Sequence, residues 1–102
     1  MSETKKKPRK KTVKAGKDIV ASAAGDIREK LLKQVNQGIS DLTLDLTDVK
    51  MVDSIGLGIF IAAHNSMEKT GGKFRIINMS KDIYDIMHMM RLDEYLEVSM
   101  QS

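Results

Sequence analysis

The chain has no cysteine and no tryptophan, and only one proline, two phenylalanines and two tyrosines among its 102 residues. Without thiols there is no disulfide and no thiolate-held metal, so a small fold here must be held by its core alone. So few aromatic rings leave little to stack on nucleobases. Long apolar runs are missing too. Nothing approaches the roughly 18 uninterrupted apolar residues of a membrane span, and no apolar segment follows the N-terminal lysines as a signal peptide requires. The expectation is a cytoplasmic protein without membrane insertion. The 41% of hydrophobic residues suits one small core, and the length is too short for two.

The formal charge of +3 hides an uneven division. Residues 1–17 hold eight of the 17 Lys and Arg but only Glu3 of the 14 acids, which puts +7 there and −4 on residues 18–102. A like-charge block with little apolar surface cannot order itself. Residues 1–11 are therefore read as a disordered basic tail and 12–102 as the folded domain, with deletion through Arg9 expected to leave stability unchanged. Such a run can neutralise phosphates by counterion release. With no aromatic residue interleaved it reads first as a solvated arm, and nucleic-acid contact by the tail is not expected.

In the body, Leu42, Leu44 and Leu46 alternate with Thr43 and Asp45 as a strand does. A short link then leads to Asp53-Ser54-Ile55-Gly56-Leu57-Gly58 and an apolar helix from Ile55 to about Thr70, stopped by Gly71-Gly72. Ahead of these, residues 23–36 read as an amphipathic helix capped by Ser22 and ended by Gln37-Gly38. Lys73 to Asn78 reads as an interior strand, and Ser80 caps a third helix with the stripe Ile83, Ile86, Met87 and Met90. Strands alternating with helices predict an α/β fold with a small, mostly parallel sheet and right-handed crossovers.

Ser54 carries the functional signal. As the expected N-cap its hydroxyl meets both the free amides and the dipole of the helix start, a setting that tolerates an added phosphoryl group. Asp53 has two readings: a turn former whose carboxylate accepts backbone hydrogen bonds, or a group orienting the Ser54 hydroxyl. Enzymatic readings lack a residue set. His64 and His88 fall on different helices, no carboxylate pair has opposed environments, and no glycine-rich loop with a lysine follows a strand. No catalytic residue, metal ligand or cofactor is assigned. Met87, Met89, Met90 and Met100 read as core filling, with an exposed methionine patch as the functional alternative.

At this point the chain resembles a known family, the STAS domain, and within it the anti-sigma factor antagonists. Gly16 to Ser22 is similar to the family's strand leading into its first helix, Leu44 to Val49 to its central strand, and Asp53 to Gly58 to its D-S-[ST]-G-L-G segment. Gly71 to Asn78 and Leu92 to Leu96 match its later strand and closing turn. Two departures stand out: Ile55 replaces the Ser or Thr that commonly follows the motif serine, and a lysine-rich stretch stands where a strand hairpin is usual, leaving the first strand missing, short or degraded. The resemblance implies a small mixed sheet with helices mainly on one face, and phosphorylation of Ser54. It also implies partner binding through Asp53, Ser54, Ile55, Gly56, Leu57 and Gly58. The implied partners are a serine kinase of the GHKL type that doubles as an anti-sigma factor, bound by the unphosphorylated form, and a PP2C-type phosphatase that resets the switch. The alternative is a non-switching STAS subunit docked on another signalling or transport assembly.

Overall fold

The computed structural model describes residues 9–101. The reading of residues 1–8 as a disordered arm lies outside that range. Four strands and three helices follow in the order β1 (Lys10–Lys14), α1 (Ala24–Asn36), β2 (Asp41–Asp45), α2 (Ser54–Lys69), β3 (Lys73–Met79), α3 (Lys81–Met89) and β4 (Glu97–Met100). All neighbouring strands pair in parallel, and their order across the sheet is their order in the chain. Crossovers between parallel strands are right-handed as a rule, and three that step in one direction place their helices on one face.

Side-chain burial shows the same one-sidedness. Val13, Leu42, Leu44, Phe74 and Ile76 are buried, and the residues between them along each strand are not. The helices answer with Ile27 and Leu31 of α1, Leu57, Phe60 and Met67 of α2, and Ile83 and Met87 of α3, forming a single core. On the opposite face Arg75 of β3 donates to Asp41 of β2 at 3.0 Å and to Glu97 of β4 at 3.2 Å, so a charged ladder crosses three strands where no helix covers them.

Several expectations need correction. Lys10 and Lys11, read as part of the tail, belong to β1. Arg9 is also fastened: its amide donates to the Ser40 hydroxyl at 2.8 Å, and its carbonyl accepts from the amides of Ser40 and Asp41. The first strand is therefore present, short and at the sheet edge, where its lysines oppose pairing with another chain. Residues 16–22 form no strand; only an isolated bridge joins Ile19 to Val52. Ala23, and not Ser22, stands at the N-cap of α1, with no side-chain cap bond. Ser80 caps α3 as expected, its hydroxyl accepting from the Ile83 amide. Of that helix's stripe, Ile83 and Met87 are buried while Ile86 and Met90 are exposed, as is Met89 beside them.

Candidate functional site

Two carboxylates build the start of α2. Beyond β1 and β2 the chain segments run side by side, with the Ile19 amide donating to the Met51 carbonyl and the Asp53 amide to the Ile19 carbonyl. Asp18 clamps this pair by accepting from the amides of Lys50 at 2.8 Å and Met51 at 3.1 Å. Asp53 does the same one step later. One of its oxygens accepts from the amides of Ile55 and Gly56, both at 3.0 Å, and the other from Ala21 at 2.9 Å. These donors, Gly56 first and Ala21 next, hold the Asp53 carboxyl below its ordinary pKa of 3.8, because each bond favours the charged form.

Asp53 is therefore the N-cap, with extended backbone angles of φ −97° and ψ −172°, and Ser54 is the first residue of the helix. The expected cap role of Ser54 is overturned: the amides it would have satisfied are taken by its neighbour. Its side chain lies exposed at the helix start. Of the two readings of Asp53, the structure shows the first, a carboxylate spent on backbone amides.

The six motif residues divide between core and surface. Leu57 is 7% exposed and Gly56 is buried, whereas Ile55 is 52% exposed and Gly58 faces outward beside Ser54. The two glycines differ for a physical reason. A Cβ at Gly56 would stand 2.5 Å from the Ile19 carbonyl oxygen and 2.7 Å from a Val52 methyl, so only glycine lets α2 approach the preceding segment this closely. A Cβ at Gly58 would meet nothing within 4 Å.

Ser54, Ile55 and Gly58 form one wall of an open groove of about 660 Å³ between α1 and α2; Gly25, Arg28 and Leu32 form the other. Its lining is apolar apart from serine hydroxyls and a single charged residue, Arg28. The wall from α1 was not anticipated. Arg28 falls on the polar side of an amphipathic helix, where a charge is ordinary, and the one sequence signal is Gly25, a glycine inside a helix with no turn to make. His88 sits elsewhere, with Nδ1 2.8 Å from Asp93, and no cluster of three potential metal-ligating side chains occurs among the described residues. Nor is any helix among them long and apolar enough to cross a membrane.

The STAS domain family model matches residues 1–102. This chain belongs to the STAS domain family. Among its relatives, the anti-sigma-B factor antagonist of Bacillus subtilis is 32% identical over 93 residues, which cover 83% of this chain and 84% of the relative. The solved structure of a putative anti-sigma factor antagonist from Thermotoga maritima superimposes with a TM-score of 0.82 at 20% identity, over 88% of this STAS domain and 78% of that chain. The Bacillus cell fate determinant SpoIIAA in its phosphorylated form superimposes with a TM-score of 0.69 at 16% identity, over 90% and 84% of the two chains. At these identities the two structures show the shared STAS fold.

Proposed function

We propose that this STAS domain is a phosphorylation-switched regulator that binds another protein. In this reading it is an anti-sigma factor antagonist whose unmodified form engages a GHKL-type serine kinase that doubles as an anti-sigma factor. The observation that carries the reading is the Ser54 hydroxyl, exposed at the first position of α2 and on the rim of an apolar groove. Support comes from the name of the Bacillus subtilis relative, an anti-sigma-B factor antagonist, and from a solved fold relative that carries phosphorylation.

The chemistry asks little of this chain. The Ser54 oxygen bonds to the terminal phosphorus of a nucleoside triphosphate held by the kinase, and the bond to the bridging oxygen breaks. The diphosphate leaves, and the hydroxyl proton passes to a base on the kinase, since the Asp53 carboxylate is occupied by three amides. The product adds about −1.5 to −2 charges at pH 7. Burying that charge against an apolar contact is costly, and each 1.4 kcal/mol or so of penalty weakens binding about tenfold. A PP2C-type phosphatase would return the serine to its binding form.

The test pairs labelling with binding. Ser54→Ala should abolish phosphate transfer by the host's GHKL-type kinase and retain kinase binding. Gly58→Glu, which places a carboxylate on the same rim, should weaken binding at least tenfold, while Lys33→Glu on the polar side of α1 does far less. Labelling of the alanine variant at the wild-type rate would remove Ser54 from the mechanism.

A further inference from the structure

A phosphate on Ser54 would find the start of α2 already engaged. Three of its first four amides are taken, those of Ile55 and Gly56 by the Asp53 carboxylate and that of Leu57 by the Asp53 carbonyl. The same carboxylate, held in its charged form, stands next in sequence and repels a second anion. The helix start that makes Ser54 accessible therefore does not offer the phosphate a counter-charge, and the dipole alone must act against Asp53. The opposite wall of the groove does offer one. Arg28 is the only charged residue in the groove lining, and it makes no ion pair with an acidic side chain among the described residues.

The space between the two walls is also kept clear. Gly25 and Gly58 both line the groove, and a Cβ at either would touch nothing within 4 Å. Neither has a positive φ. Glycine inside a helix is less favourable than alanine, and neither of these recovers that cost through packing or turn geometry. Packed helices lie about 8–10 Å apart, a gap that phosphoserine and a long arginine side chain can close from opposite sides.

We propose that Arg28 is the counter-ion of phosphorylated Ser54, and that the phosphate and the guanidinium pair across the α1–α2 groove and cover its mouth. The modified protein then masks its own docking surface: the groove loses its open rim, and its one positive charge is no longer free for a partner's carboxylate. Arg28 is a positioning residue in this scheme and takes no part in phosphate transfer. The inference rests on Ser54 being the modified residue, but its test does not require the kinase.

Phosphoserine is installed at position 54 during protein synthesis, and the phosphate is titrated by phosphorus NMR. Its second ionisation should lie about one pH unit lower in the otherwise wild-type protein than in Arg28→Gln. The Arg28 Nε–H resonance and the Gly58 amide should both move on phosphorylation, and the Gly58 movement should be lost in Arg28→Gln. Lys33→Gln removes the same charge from another side of α1 and should leave the titration unchanged. Identical titrations in wild type and Arg28→Gln, an unmoved Arg28 Nε–H, or an equal shift from Lys33→Gln would each overturn the pairing. Any of these results would leave kinase labelling of Ser54 as it stands. Conversely, failure of a kinase to label Ser54 would leave the measured pairing intact.

Discussion

Asp53 joins three amides from two separated parts of the chain, and this one side chain sets both where α2 begins and how Ser54 is presented. Stability and the proposed switching should therefore separate between neighbours. Asp53→Ala should lower the melting temperature by about 5 °C, the size of a lost cap in a small domain. Ser54→Ala, at an exposed position, should change stability by less than about 0.5 kcal/mol. The Asp53 effect has a defined pH dependence. Its folded pKa is depressed, so its contribution is complete above 3.8 and is lost as the pH falls through the folded value. Melting curves of wild type and Asp53→Ala should accordingly differ at pH 7 and converge on acidification. Sequence patterning identified the residue pair but not the division of labour within it. Both Asp and Ser are favoured caps, and the choice is made by the backbone angles of Asp53 and by the Ala21 amide, 32 residues away.

At the level of elements, Gly56 and Gly58 lie two residues apart in one helix and should respond to the same change with opposite signs. Gly56→Ala forces a methyl into the Ile19 carbonyl and should destabilise the fold by about 1–3 kcal/mol. Gly58→Ala fills open space at an ordinary helical position and should stabilise it by about 0.5–1 kcal/mol. Urea denaturation of the two variants measures both. The elements that sequence periodicity placed well, α2, β3 and α3, are those whose apolar spacing is unambiguous. Lys10 and Lys11 of the first strand were misread as tail because only Val13 of its five residues is buried, so its pattern is that of a charged coil. The cap of α1 was misread because the preceding turn is fixed by the distant Asp53 carboxylate, which local sequence does not encode.

Across the whole molecule, the unidirectional parallel sheet puts every helix on one side and leaves the Asp41–Arg75–Glu97 ladder on the other. Edge strand β1 completes the layer, so truncations should show a threshold. Removal of residues 1–8 spares every hydrogen bond within 9–101, and the melting temperature should hold. Removal of residues 1–14 strips Val13 from the core and exposes the edge of β2, and cooperative melting should be lost in calorimetry. The parallel arrangement also gives the domain two poles. Arg9 lies beside Gln37 and Ser40 where the strands start, whereas Ser54 comes after the opposite ends of β1 and β2, which each run about 17 Å over five residues. Arg9 and Ser54 therefore stand at opposite poles of the described domain, so an anchor attached at the Arg9 pole would leave Ser54 turned outward for the kinase proposed above.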